Sequence, residues 1–501
     1  MGRRGLQLLL TIALLAGASL AGYSGGVTTS AAPTAGNDWT RYLGGPTSSG
    51  FNNETIITPT NAALLKAKPG WPVQTPNGAV ISTQPIVANG LVYYGAWDGY
   101  EHAVPLSGGH DAWATNLGKA DSAECGTVGV ASTGTVVSMN VGGATSVLFV
   151  GGGGTGVGGN AADMYALDAL TGRILWQTPL GAFPNNFMWS SPVVYTYTAP
   201  DGSTGTSVYQ GVSALGDCPL VQGKVVQLDA VTGQVQHVFN VVPDGCLGGS
   251  VWGSPTIDPS DGSVYVATGN PDQCSSPETY AYALLKLRAS DLSLLDYWSV
   301  PPAEQFEDVD FGGTPTLFTG TVTPAGLRRP LIGLVNKNGT YYVFDRNHLS
   351  AGPVARLKAA DDPITCGSAC PEGVVSVAPS AWDGTNVYVG GITITIKGVQ
   401  YQGSLTAWNP NNFSKPVWQD GLTQGHVIAA VMSTPGLVVV GAGSTIIVAR
   451  SSDGTILFMG RIASITAKNP PFFWGAPTIS HGVLYEGDTN AVVHAYSVLG
   501  Q

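Results

Sequence analysis

MYALDALTGRILW, residues 164–176, and VVQLDAVTGQVQHVF, residues 225–239, are one phrase written twice. In each, an alternating apolar run reaches an Asp, a Thr-Gly pair reverses the chain, and a second alternating run leads away. A period of two marks a strand with one buried face, and Asp followed by Gly is turn chemistry. GSLTAWNPNNFSKPVW, residues 403–418, repeats the pattern more loosely. A second phrase, an apolar strand ending in Gly, recurs in GLVYYGAWDG, GSVYVATGN, TNVYVGG and GVLYEGDTN. A third is a short strand with Pro near its start, at Pro85, Pro192, Pro255, Pro315, Pro379, Pro435 and Pro477; an eighth unit starts near Thr133 without one. The runs within each unit read as four antiparallel strands, with the Asp-x-x-Thr-Gly turn between the third and fourth. Repeats of roughly 40–65 residues, each a four-stranded sheet, predict an all-β, eight-bladed β-propeller. GWPVQT, residues 70–75, is expected to supply the outer strand of the last blade and close the ring.

The chain opens MGRRGLQLLLTIALLAGASLAG, two arginines and a short apolar run that ends in small residues. That is the layout of a bacterial-type signal peptide over residues 1–22, too short for a stable membrane span. Cleavage falls after Ala18 or near Ala21–Tyr23, and Tyr23 stands where a lipoprotein would carry Cys. A flexible segment, 23–37, is expected next, then a single propeller domain over 38–501. No second long apolar run follows, so no transmembrane segment is expected. With 11% charged residues and a net charge of −11, the chain lacks the basic footprint of a nucleic-acid binder. Six cysteines in an exported chain favour disulfides, whose pairing the spacing leaves open. A secreted, extracytoplasmic monomer is the expectation.

Register then places side chains. In VWGSPTIDPSDGSVYVATGNP, residues 251–271, the turn centres near 260–261, so Trp252 and Asn270 meet at the open end of the hairpin. The next unit turns around Thr323–Gly326, which brings Asp310 opposite Lys337. The start of a blade's first strand and the end of its second share one face, so all four should look onto one mouth of the channel. Cys125, Cys246, Cys366 and Cys370 fall in loops between blades, and Cys218 and Cys274 in loops between second and third strands. All six belong to that same face.

These phrases resemble the pyrroloquinoline-quinone (PQQ) repeat family over about residues 38–500. The opening DWTRYLGGPTSSGFNNETIITPTNAALLKAKPGW, residues 38–71, is similar to the first segment of its polyvinyl-alcohol-dehydrogenase-like branch. The resemblance implies roles. GGSVWG supplies Trp252 as a stacking floor for the quinone, and TGNP supplies Asn270 as a Ca²⁺ ligand. DVDFGG supplies Asp310 as general base and second metal ligand, and KNG supplies Lys337 as a quinone contact. Trp189 and Trp474 precede Pro at the same offset as Trp252; packing alone explains such a recurrence, and Trp474 is carried as a further cofactor contact. Oxidising an alcohol needs a base for the hydroxyl proton and an acceptor for the hydride; Ca²⁺, held by oxygens, polarises that acceptor.

The chain also departs from the family. Where the dehydrogenases carry a Ca²⁺-binding Glu it reads GGGGTGVGGN, residues 151–160, with Asp163 slightly late. The adjacent Cys-Cys pair of many relatives is absent, and no C-x-x-C-H occurs, so no haem c is expected. The glycine run lacks the Gly-Lys-Ser/Thr of a nucleotide loop. CGSAC, residues 366–370, reads as disulfide chemistry, the seven His are scattered, and no G-x-S-x-G elbow occurs. The expected function is a secreted PQQ- and Ca²⁺-dependent alcohol dehydrogenase-like oxidoreductase. It would act on a small or polymeric alcohol and pass electrons to a separate acceptor. The alternative is a non-catalytic propeller that binds an envelope protein or polymer on the same loop-rich face.

Overall fold

The structure, a computed structural model, describes residues 38–501 apart from 77, 154–160, 183–185, 273, 306–307, 322–325, 362–375 and 463–471. Eight antiparallel sheets follow one another along the chain, spanning 86–116, 135–182, 193–240, 256–299, 316–358, 381–422, 432–461 and 478–498. We number them blades 1 to 8. Each has the four-strand order that the repeats predict, first strand innermost in sequence and in pairing. The signal-peptide reading of 1–22, the segment 23–37, most of the glycine run and the Cys366 and Cys370 pair lie outside the described residues. Among the described residues no helix is long and apolar enough to cross a membrane.

Ring closure uses more of the N-terminal chain than expected. Val73–Gln74, inside the anticipated 70–75, pairs with Val493 and Val492, but Leu65–Ala67 also pairs with the last strand, at Val498 to Tyr496. The outer strand of blade 8 is therefore built from two pieces. Pro435 also departs from its expectation: it follows Met432–Thr434 and so ends the first strand of blade 7 instead of starting it.

The repeated Thr-Gly and Trp serve each other across blade boundaries. Trp113 of blade 1 donates its indole N–H to Ala169 O of blade 2 at 3.1 Å, Trp176 of blade 2 to Ala230 O of blade 3 at 3.2 Å, and Trp418 of blade 6 to Ser451 O of blade 7 at 2.8 Å. Beneath each ring lies the turn glycine of the next blade, Gly172, Gly233 or Gly454. All three have positive φ, and a Cβ there would come within 2.8 Å of the ring. The sequence phrase is thus a docking joint: its Gly receives the previous Trp, and its Trp reaches the next Gly.

A second joint rings the channel. The backbone N–H of Gln84 donates to Thr133 Oγ1, that of Thr133 to Ser191 Oγ, that of Ser191 to Ser254 Oγ, and that of Ser254 to Thr314 Oγ1, all at 2.9–3.0 Å. These residues stand just before the first strands, so hydroxyls link blades 1 to 5 where the strands enter the site face. On the inner strands a strap, residues 39–52, crosses the channel. It exchanges hydrogen bonds with Val87, and its Thr40, Pro46, Thr47, Ser49 and Gly50 carbonyls accept from Val136, Ile257, Leu317, Trp382 and Ser433. Asn52 donates to Ile479 O. The strap thereby touches blades 1, 2 and 4 to 8.

Candidate functional site

The two hairpins bring their open ends to one cavity. In blade 4, Thr256 pairs with Tyr265, but beyond the strands Gly269 N donates to Ser250 O and Gly249 N to Asn270 O, both at 2.7 Å, so Asn270 lies opposite Gly249 and shares with Trp252 the cavity wall rather than a register position. In blade 5, Thr316 pairs with Gly333 and Lys337 N donates to Asp310 O at 3.2 Å. The four side chains line one cavity of about 510 Å³, in the size range of small-molecule sites. Trp189 and Trp474 line it too, and Tyr42 of the strap joins them there.

Trp252, Asp310 and Lys337 form one network. The Trp252 indole N–H donates to Asp310 Oδ2 at 3.0 Å, and Lys337 Nζ lies 2.6 Å from Asp310 Oδ1. Lys337 also pairs with Asp308 and stands 5.0 Å from the centre of the Trp252 ring, a cation–π distance. Asp310 is buried, 1% exposed. Burial pushes its carboxyl up to about 6, against the opposing charge of Lys337 and the indole hydrogen bond. Burial by itself would lower Lys337, yet Asp310 and Asp308 hold it above the ordinary ammonium range. Gly312 fixes the tryptophan: a Cβ there would lie 1.9 Å from Trp252, so only glycine lets the ring seat.

Two carboxylates in the cavity escaped the sequence reading. Asp217 follows the second strand of blade 3, and loss of water raises its carboxyl while Lys337 and a hydrogen bond from Asn270 oppose the rise. It stands next to Asn270, one blade after the glycine run. Asp163, the residue weighed there, is buried in a strand, where Gln177 donates to it at 2.6 Å, and it does not line the cavity. The signal was present in ALGDC, residues 214–218, directly after a second strand. Asp308 is the other; it adopts a φ of +62°, which nothing in the local sequence announces. Among the described residues no group of three His, Cys, Asp or Glu stands ready to hold a metal.

Disulfides brace this face. Cys125 joins Cys218, the neighbour of Asp217, and Cys246 joins Cys274, just past Asn270. Both link a loop between blades to a loop between second and third strands. An aromatic arc completes the wall: Trp97 contacts Trp189 at 6.0 Å and Trp474 at 5.5 Å between ring centres, flanked by Phe187 and Phe472.

No family model matches the chain. It is 34% identical over 125 residues to the polyvinylalcohol dehydrogenase of a Pseudomonas species, a match covering 21% of this chain and 19% of that protein. It is 27% identical over 220 residues to quinohemoprotein alcohol dehydrogenase ADH IIB of Pseudomonas putida, covering 37% and 30%. The matches thus span less than a third of either relative. Among solved structures, a quinohemoprotein alcohol dehydrogenase of Pseudomonas putida superposes with a TM-score of 0.68 at 15% identity, over 93% of this chain and 81% of that one. That likeness shows the fold. The curated relatives that the chain matches in part are a polyvinylalcohol dehydrogenase and a quinohemoprotein alcohol dehydrogenase, and the chain has the propeller fold of the solved quinohemoprotein enzyme.

Proposed function

We propose that the chain is an extracytoplasmic quinoprotein alcohol dehydrogenase that oxidises a small or polymeric alcohol and hands the electrons to a separate acceptor. The observation that carries this is the convergence of Trp252, Asn270, Asp310 and Lys337, from two adjacent blades, on one cavity. The residue types fit a planar anionic quinone: a tryptophan seated on glycine offers a ring, and Lys337 offers the cavity's cationic side chain among the described residues. PQQ would rest on Trp252 with Lys337 and Trp474 as further contacts. The donor set fits a hard cation, since Asn270, Asp310 and Asp217 offer only oxygen or amide groups. Asp308, the third carboxylate of the cavity, is paired with Lys337, so Asp217, Asp310 and the Asn270 amide oxygen are the groups that would hold Ca²⁺.

When bound, PQQ supplies the hydride acceptor and Ca²⁺ polarises it. Asp310 takes the hydroxyl proton of the alcohol. Its Oδ2 accepts from the Trp252 indole and its Oδ1 lies 2.6 Å from Lys337 Nζ, so the proton goes to a second lone pair of an oxygen that already carries a donor. Its raised affinity for protons brings it closer to the strength a general base needs at neutral pH. Trp252 fixes the carboxylate plane while presenting its ring to the cavity, and Lys337 balances the charge.

A non-catalytic envelope-binding propeller is the second reading, favoured by Lys337 lying over the Trp252 ring where a planar ligand would stack. Titration of the protein with PQQ, with and without Ca²⁺, followed by tryptophan fluorescence, separates the two. Saturable, Ca²⁺-dependent quenching is expected, lost in Trp252→Ala and Asn270→Ala. Asp310→Asn should lower turnover with an artificial acceptor by about 10²–10⁴-fold. Absence of binding at micromolar PQQ would sink the enzyme reading.

A further inference from the structure

We propose that Asp308 is an exchangeable counter-ion, which holds Lys337 over Trp252 until a ligand binds and then surrenders it to a carboxylate of a planar aromatic ligand. The inference rests on the reading of Trp252 and Lys337 as a ligand platform. Lys337 is the sole cation among the described residues that line the cavity, facing Asp217, Asp308 and Asp310. An anionic ligand therefore has to take Lys337 from a carboxylate already bound to it.

Asp310 is the poorer candidate to yield. Its side chain is 2% exposed, and Trp252 holds its other oxygen. Stripping its partner would leave a buried charge uncompensated, which is costly. Asp308 differs in each respect. Its side chain is 47% exposed, so water can take over when the lysine leaves. Lys337 is the one residue found paired with its carboxylate among the described residues. Its backbone sits at a φ of +62°, a conformation that costs a non-glycine residue energy, although Asp tolerates it better than most. The lysine is thus shared between one fixed and one releasable partner. Its Nζ, over the Trp252 ring and 5.0 Å from its centre, stands in the space a stacked ligand would take, so such a ligand has to draw the lysine aside to a carboxylate on its own rim.

The test uses calorimetric titration of the full chain with benzene-1,3,5-tricarboxylate in metal-free buffer and, separately, with PQQ plus Ca²⁺. Asp308→Asn is expected to bind both about three- to fivefold more tightly than the unaltered protein, the scale of an exposed ion pair. The gain should fade at high salt and vanish in the Asp308→Asn, Lys337→Gln double variant. Asp308→Ser, which removes the charge with a smaller side chain, should reproduce it. Unchanged or weaker binding of the tricarboxylate by both single variants, or a gain that survives loss of Lys337, would overturn the proposal. So would no binding of the tricarboxylate by any form. Failure of PQQ alone, with the tricarboxylate behaving as expected, would remove the quinone reading and leave the counter-ion role standing. PQQ binding with no gain in either variant would do the reverse.

Discussion

Glu101, in the third strand of blade 1, is 0% exposed, and neither carboxyl oxygen has a hydrogen-bond partner among the described residues. Burial pushes its carboxyl up to about 8, with the charge of the neighbouring His102 opposing. A folded-state value above the ordinary 4.5 means the native protein holds this proton more tightly than the unfolded chain does. Stability from this group is therefore largest at and below about pH 4.5 and declines as pH rises towards about 8. Glu101→Gln removes the titration: thermal melts should match the unaltered protein near pH 4.5 and exceed it at pH 8, by about 4 kcal/mol. Equal melting curves at both pH values would show that the carboxyl has found water. At this scale the sequence was legible only where a hairpin's open end fixes position. Trp252, Asn270, Asp310 and Lys337 stand at strand ends, so counting from a turn brings them to one cavity. Asp217 and Asp308 sit in loops, and their direction depends on a neighbouring blade and a left-handed backbone that no two-residue period encodes.

The blade joint makes the repeat phrase an energetic unit rather than a composition bias. Gly233 has a φ of +72°, and a Cβ on it would lie 2.6 Å from the Trp176 ring. Gly233→Ala should therefore cost roughly 1–3 kcal/mol, from the left-handed backbone and from overpacking together. Trp176→Ala should cost about 3 kcal/mol or more by opening a cavity and removing the indole bond to Ala230 O. Because both changes break one contact, denaturant unfolding of the double variant should lose less than the sum of the two; strict additivity would mean that the joint is not shared. Strand number and blade order were readable because each blade carries the same turn chemistry. The ends of the ring were not. Leu65–Ala67 lies in AALLKAK, residues 62–68, a stretch with no two-residue alternation, and its pairing with Tyr496–Val498 is chosen by the free edge of the last strand. Pro435 misled for a related reason: a Pro can mark either end of a short strand, and only pairing decides which.

On the scale of the whole molecule, the strap 39–52 is what a closed ring alone does not provide. A propeller's blades contact their neighbours in sequence, so a disturbance in blade 5 reaches blade 1 only around the ring. The strap bypasses that route, with hydrogen bonds of 2.7–3.1 Å to the inner strands of six blades and an Asn52 contact to a seventh. Trp39 is 2% exposed and Leu43 0% exposed, so the strap is also anchored by apolar burial, each side chain worth about 2–4 kcal/mol. Tyr42 meanwhile lines the cavity, tying the strap to the site. Deleting residues 38–52 should consequently do more than lower the melting temperature. Backbone amides of Ile257, Leu317, Trp382 and Ser433, which donate to the strap, should lose hydrogen-exchange protection along with their neighbours on the inner strands of blades 4 to 7. The site hairpins of blades 4 and 5 begin from those strands, so ligand affinity should fall in the same variant although no residue of the Trp252–Lys337 network has been touched. Protection lost only in blades 1 and 8, with affinity intact, would reduce the strap to a local cover and leave ring closure to the paired outer strands.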